Sequence, residues 1–263
     1  MSVMLHGIGV SKGIAIGQAY IFYRERPEIF EYTIAPNRVE HEIARFHTAR
    51  HQAQKQLEAI KQKFSSDVAH DFTNFIDTHI LMIDDPMLCE GTVENIRLHR
   101  CNAEWALQAH CDRLEKVFDA MDDVYLKSRK DDIVHVVQRI QHCLISDTDA
   151  DAPDALQSEH LKGRIIVADD LTPADTLVMR HQKIAGFITE FGGPLSHTAI
   201  LARNLGIPAV VGLRNARQLI PSSDWLIIDG AQGMLVADPD KYSLRLYRNL
   251  QKDEKRRQRN LFG

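Results

Sequence analysis

The sequence predicts an α/β unit split in two by an inserted all-α bundle, with a polar linker helix at the C-terminal end. Three observations carry that reading. Glycine is distributed unevenly: Gly7, Gly9, Gly13 and Gly17 come early, nine more run from Gly163 to Gly263, and only Gly91 interrupts the stretch from Tyr23 to Lys162. An interior glycine costs a helix about 1 kcal/mol relative to alanine, whereas tight strand-to-helix turns need it. The apolar period also changes, from spacings of three and four before residue 145 to short continuous runs after residue 164. Finally, the leading strands are too few to fold alone and must join a later sheet. The expected partition is 1–30 with 150–235 for the α/β unit, 31–149 for the bundle and 236–263 for the linker helix.

In chain order, residues 3 to 22 read as one or two short strands separated by glycine turns and ending in the β-rich run Ala19 to Tyr23. Pro36 suits the first turn of a helix, and Val39, Ile43, Phe46, Ala53, Leu57, Ile60 and Phe64 continue it as a long amphipathic helix. Ser65, Ser66 and Asp67 offer caps for a second helix carrying Phe72, Phe75, Ile76, His79, Ile80 and Ile83. Asp84-Asp85-Pro86 stops it and starts the next. Asn102 or Ala103 opens a helix with Leu107, Cys111, Leu114 and Phe118, and Asp131-Asp132 opens one with Ile133, Val137, Ile140 and Leu144. Four or five consecutive helices make a bundle. After the polar connection from Ser146 to His160, the runs Arg164 to Ala168, Ala185 to Thr189, Pro208 to Val211, Trp225 to Asp229 and Met234 to Ala237 read as strands of a partly parallel sheet. The last segment, with eight basic side chains from Lys241 to Arg259, reads as a solvated or linking helix.

Composition narrows the function classes. The 263 residues are 44% hydrophobic and 26% charged, ordinary for a soluble protein with two medium domains. No apolar run approaches the roughly 20 residues of a membrane helix, and the start lacks the pattern of a signal peptide, so a cytoplasmic protein without membrane attachment is expected. Cys89, Cys101, Cys111 and Cys143 form no CxxC pair, which predicts buried thiols rather than a zinc or redox site. With 32 basic against 36 acidic residues the net charge is -4, and nothing global attracts nucleic acid.

The chemistry-bearing segment is Gly192-Gly193-Pro194-Leu195-Ser196-His197-Thr198, followed by the helical run Ala199 to Leu205 and a stop at Gly206. A strand ends at Glu190, two glycines turn the chain, and His197 falls in the first helical turn. Unpaired backbone N–H groups and the helix dipole favour negative charge there by roughly 0.3 to 1 kcal/mol, up to about 2 when partly buried. A phosphoryl group on the ring is stabilised by that field, and a neutral, nucleophilic imidazole is favoured over imidazolium. Glycines beside the ring let backbone donors approach phosphoryl oxygens. The plain alternative is a hydrogen-bonded capping histidine. Asp170 to Thr176, which follows the Arg164 to Ala168 strand, opens another helix at the same sheet edge, where open α/β sheets hold ligands.

The run from Gly192 to Gly212, GGPLSHTAILARNLGIPAVVG, resembles the phosphohistidine signature of the enzyme I family of the bacterial phosphoenolpyruvate:sugar phosphotransferase system, shared with phosphoenolpyruvate synthase and pyruvate phosphate dikinase. His6 to Phe22, Thr78 to Leu88, Asp122 to Ile133 and Ala168 to Thr176 resemble enzyme I as well, so the similarity covers essentially the whole chain. The resemblance implies that His197 takes a phosphoryl group from phosphoenolpyruvate on Nε2 and passes it to a histidine of the phosphocarrier HPr. It makes Thr176 the threonine that assists the histidine, unless its hydroxyl is satisfied locally within a helix turn. Gly192, Gly193, Ser196 and Thr198 support the phosphoryl group, or Ser196 and Thr198 simply cap the helix.

The resemblance also makes the helical subdomain the HPr surface, with Met82, Leu88, Leu126 and Arg129 as candidate contacts and Asp71, Asp77, Asp84 and Asp85 as complementary charge for a basic carrier. An apolar residue at helical spacing is otherwise core. Family enzymes continue into a C-terminal barrel that binds phosphoenolpyruvate and magnesium and forms a homodimer. The resemblance therefore implies that this chain is about half of the enzyme, needs no cofactor or metal itself, is monomeric and exchanges phosphoryl groups only with HPr. Pro194-Leu195 departs from the basic residue and threonine of sugar-transport members and is familiar in the nitrogen-related paralogue, although that form begins with a sensory domain absent here. The mobile domain of a synthase or dikinase is a competing reading, as is a helical scaffold in which His197 is structural.

Overall fold

In the computed structural model, which describes residues 2–23, 28–64, 70–145, 161–222 and 224–261, the chain divides into two units. One comprises Met1–Arg24 with Pro153–Gly263, the other Glu25–Ala152. The chain thus leaves the first unit and returns to it, with crossings a few residues from those expected at 30 and 150.

The first unit is built on one eight-stranded sheet. Its strands are β1 (Val3–His6), β2 (Ile8–Ser11), β3 (Ile14–Ile21), β4 (Ile165–Ala168), β5 (Gly186–Thr189), β6 (Ala209–Val211), β7 (Trp225–Asp229) and β8 (Met234–Ala237), in the spatial order β1-β8-β7-β3-β4-β5-β6-β2. β3 is long enough to serve two neighbours. Ile14 to Gln18 pair antiparallel with β7, and Ala19 to Ile21 pair parallel with β4. β4, β5 and β6 run parallel to one another. β4 and β5 are buried at every position, as continuous apolar runs covered on both faces should be. Ala15, Ala19, Ile165, Val167, Ile188, Val210, Leu226 and Ile228 form the main core.

The N-terminal run makes three strands where the sequence suggested one or two. β1 and β2 are consecutive in sequence yet lie at opposite ends of the strand order, β1 against β8 and β2 against β6. The crossing needs close backbone approach: Gly7 N–H donates to Gly233 O at 2.9 Å, and a Cβ on Gly9 would meet Gly230 O at 2.5 Å. The linker segment contains α9 (Lys241–Leu261), which belongs to this first unit. Its Leu244 and Tyr247 pack on Ile227, Met234 and Val236, and Gln251 donates to Ile14 O at 2.7 Å. The helical character of this segment was legible in the sequence; that one stripe of it covers the sheet was not.

The second unit holds α1 (Val39–Phe64), α2 (His70–Ile83), α3 (Pro86–His99), α4 (Ala103–Asp119) and α5 (Val124–Ile145). The predicted stripe of α1 is its buried face, with Ile43, Phe46, Ala53, Leu57 and Ile60 all in the core. Asp85 caps α3 by accepting Met87 N–H at 2.8 Å, with Pro86 in the first turn, as the Asp-Asp-Pro signal predicted. The proposed caps Ser65, Ser66 and Asp67 and the connection from Ser146 to His160 lie outside the described residues. α5 starts at Val124 rather than at Asp131. The reason is tertiary: Asp132 turns inward, accepts from His79 Nε2 at 3.2 Å and pairs with Arg129 at 3.1 Å, so it is a buried anchor instead of a cap.

A second polar cluster ties the bundle together. Glu42 accepts from Arg45 and from Ala103 N–H, both at 2.7 Å, and Arg45 also donates to Glu104 at 2.7 Å. Burial alone would raise the Glu42 pKa, but the Arg45 and amide donors outweigh it and hold the carboxyl below its ordinary 4.5. All four cysteines are buried free thiols. Burial, with Glu115 and Asp112 beside it, pushes the Cys111 thiol up to about 12. No helix among the described residues is long and apolar enough to cross a membrane.

Candidate active site

Parallel strands β3 to β6 end on the same edge of the sheet, and the segments that follow them assemble the site. After β4 the chain runs Asp169-Asp170-Leu171 into α6 (Pro173–His181). Thr172 and Asp175 form a reciprocal capping box there, Thr172 N–H donating to Asp175 at 2.7 Å and Asp175 N–H to Thr172 Oγ1 at 3.3 Å. After β5 it runs Glu190 to Pro194 into α7 (His197–Leu205), capped by Ser196, whose Oγ accepts Ala199 N–H at 3.3 Å and donates to Gly193 O at 2.9 Å. Gly192 has φ +100, a conformation that side chains rarely adopt, so the turn before the cap depends on glycine there. Gly193 has open space around its Cα. Gly206, in the left-handed region, closes α7.

His197 is the first residue of α7 and is 8% exposed. Its Nε2 lies 2.9 Å from Leu171 O, and Thr198 Oγ1 donates to the same carbonyl at 2.9 Å. A carbonyl only accepts, so Nε2 carries a proton in this arrangement. Two side chains from the start of α7 therefore share one acceptor on the loop after β4. Arg203, in the last turn of α7, reaches back to Pro194 O at 3.0 Å and braces the loop that carries the histidine. Phe191 and Leu195 flank that loop with their side chains exposed.

The remaining predicted site residues divide. Ser196 caps the helix, which the sequence allowed as one of two readings, and Thr198 bonds Leu171 O rather than its own helix. Thr176 is buried on α6 with its hydroxyl donated to Pro173 O at 2.8 Å, the locally satisfied reading. In the second unit, Arg129 pairs with Asp132, and Met82 is partly exposed on α2. Leu88 corrects the expectation: it is 4% exposed and belongs to the bundle core, so its side chain is not offered to a partner. Leu81, 72% exposed, and Met87 are the large apolar side chains at the surface near it. The Leu126 and Asp71 side chains lie outside the described residues.

Sequence reasoning missed three charged residues at the same edge. Glu190, the residue after β5, accepts Arg217 N–H at 2.9 Å and Arg217 Nη2 at 3.1 Å. Asp169, the residue after β4, lies 3.8 Å from Arg217 Nη1. The guanidinium, carried on α8 (Ala216–Leu219), stands 5.6 Å over the Tyr23 ring. Acidic residues directly after two adjacent strands were the available signal. Among the described residues, no group of three or more His, Cys, Asp or Glu side chains is placed to hold a metal ion.

The chain is similar to known proteins over nearly its whole length. Residues 6–129 match the family described as PEP-utilising enzyme, N-terminal, and residues 161–233 the family described as PEP-utilising enzyme, mobile domain. A phosphoenolpyruvate-protein phosphotransferase from Cupriavidus necator is 39% identical over 99% of this chain and 46% of its own length. The chain thus spans less than half of the curated relatives it matches. A solution structure of an Enzyme I protein has a TM-score of 0.75 at 32% identity, covering 95% of this chain and 99% of that one. The N-terminal domain of a nitrogen Enzyme 1 shares the fold, with a TM-score of 0.55 at 22% identity over 94% of this chain and 98% of that one.

Proposed function

The chain belongs to the enzyme I family of phosphoenolpyruvate-protein phosphotransferases, and from that premise we propose that His197 is its phosphoryl carrier, exchanging the group reversibly with a histidine of the phosphocarrier HPr in service of sugar transport and its regulation. The observation that carries this reading is the setting of His197. It is a nearly buried imidazole at the positive end of a nine-residue helix, at a sheet edge where glycine turns the chain and backbone N–H groups can face an anion.

The resting hydrogen bond defines the first step. For Nε2 to attack phosphorus it must give up its proton and leave Leu171 O, so transfer begins with rotation of the ring and a change of tautomer. The lone pair of Nε2 then forms the P–N bond while the donor's P–N bond breaks, and the donor imidazole keeps that electron pair. Transfer between two histidines is near balance in energy, and positioning and charge stabilisation supply the catalysis. Phosphoenolpyruvate, magnesium and dimerisation are proposed to involve the part of the longer relatives outside the matched span, which is 46% of the Cupriavidus necator protein. The second unit is proposed as the HPr surface, with exposed Leu81 and Met87 taking the place assigned to Leu88, beside Met82, Leu126 and Arg129. A nitrogen-related enzyme I is the second reading, favoured by Pro194-Leu195 in the histidine loop.

The test is incubation of the chain with phosphorylated HPr. Acid-labile, base-stable phosphate on the wild type and none on His197→Ala is the expected result. An unlabelled wild type, or a fully labelled His197→Ala, refutes the proposal. Faster labelling by a nitrogen-related phosphocarrier than by HPr would select the second reading.

A further inference from the structure

Two carboxylates, one after β4 and one after β5, stand at neighbouring positions on the edge that carries His197, and both are almost fully buried: Asp169 is 6% and Glu190 8% exposed. Like charges that close, removed from water, push their loops apart unless a cation lies between them. Arg217 is that cation. It donates Nη2 to Glu190 at 3.1 Å, brings Nη1 to 3.8 Å from Asp169 Oδ2, and is covered by the Tyr23 ring at 5.6 Å. Its buried Nε finds no acceptor among the described residues. The side chain is therefore held for its charge between the two acids more than for a full set of hydrogen bonds.

The two loops it joins determine the histidine geometry. They remain paired past the ends of their strands, Glu190 N–H donating to Ala168 O and Phe191 N–H to Asp169 O, each at 3.0 Å. Asp169 Oδ1 accepts Asp170 N–H at 2.9 Å, and Asp170 Oδ1 accepts Leu171 N–H at 2.8 Å, so the position of Asp169 is relayed in two steps to Leu171. Leu171 O is the acceptor shared by His197 and Thr198. The other loop leads from Glu190 to the cap Ser196 and to His197 itself. Separation of Asp169 from Glu190 thus moves the histidine and its acceptor apart.

Resting on the phosphotransfer reading above, we propose that Arg217 is a positioning residue for that reaction: its charge holds Asp169 and Glu190 together and keeps the Leu171 carbonyl in register with His197. The role is one of charge, so it is separable from packing. In Arg217→Gln/Asp169→Asn the backbone donor of residue 217 still reaches Glu190 and residue 169 still offers an oxygen to Asp170 N–H; the cation and one of the two anions are gone together, so Glu190 no longer faces a like charge.

The test uses the full chain and two readouts. The first is the rate of phosphorylation by phosphorylated HPr; the second is the imidazole ¹⁵N spectrum of His197, which reports the tautomer without any transfer. Arg217→Gln is expected to slow labelling about tenfold and to replace the single Nε2–H tautomer by a mixture. Arg217→Lys and the double variant are expected within about threefold of wild type, with the single tautomer restored. If Arg217→Gln does not fold, the double variant decides alone: folded, with the wild-type tautomer and rate, it supports the proposal, and anything less overturns it. Wild-type behaviour of Arg217→Gln, or a double variant no better than the single, also overturns it. An unlabelled wild type would refute the phosphotransfer reading, and the tautomer comparison would still decide the role of Arg217.

Discussion

On the proposed phosphotransfer reading, the single carbonyl oxygen of Leu171 holds His197 weakly enough to be displaced: the bond to Nε2 is one ordinary hydrogen bond, worth about 1 kcal/mol net. Removing Thr198's share of that acceptor tests the point. Thr198→Val leaves the carbonyl to His197 alone and is expected to cost about 1 kcal/mol in thermal or urea stability while leaving His197 phosphorylatable. At the same scale, the Glu42, Arg45 and Glu104 cluster makes the helical unit acid-sensitive. The Glu42 carboxyl titrates lower folded than unfolded, so its contribution is complete above pH 4.5 and is lost as pH falls through its depressed value. Circular dichroism melts between about pH 6 and 3 should show that loss. Glu42→Gln should flatten it while lowering stability near neutral pH by about 2 kcal/mol.

The elements were largely legible from sequence, and the exceptions have physical causes. Continuous apolar runs marked β4 to β8 within a residue or so, and the Asp-Asp-Pro signal located the break between α2 and α3. The start of α5 was misread because a buried ion pair turned Asp132 from a capping residue into a core partner of His79. Leu88 was misassigned because apolar residues at helical spacing do not announce which of them faces the core. In the site, the histidine and its glycine turn could be read, since both are local. The Leu171 acceptor and the Arg217 clamp could not, because they join loops far apart in the chain. For α7 the local devices predict measurable costs. Ser196→Ala should lose about 1 kcal/mol through its cap, and Gly192→Ala should lose about 1 to 2 kcal/mol at φ +100, both by chemical denaturation. The labelling rate of Gly192→Ala should fall more than that of Ser196→Ala, because the strain lies in the turn that aims His197.

At the level of the whole molecule, the α/β unit depends on both ends of the sequence while the helical unit does not. β3 bridges the antiparallel and parallel parts of the sheet. A chain beginning at residue 28 should therefore keep the helices of Glu25–Ala152 but lose the packed α/β unit, seen as rapid proteolysis of everything after residue 152 beside a protected helical fragment. The crossing of β1 into β2 has a further consequence for biosynthesis. Both outermost sheet positions are filled by the first eleven residues, yet their partners β6 and β8 leave the ribosome some two hundred residues later. At roughly 5 to 20 residues per second, the earliest-made strands wait on the order of ten to fifty seconds for a mate, while the helices made in between can already fold. Nascent strand segments left unpaired that long are natural clients for ribosome-associated chaperones.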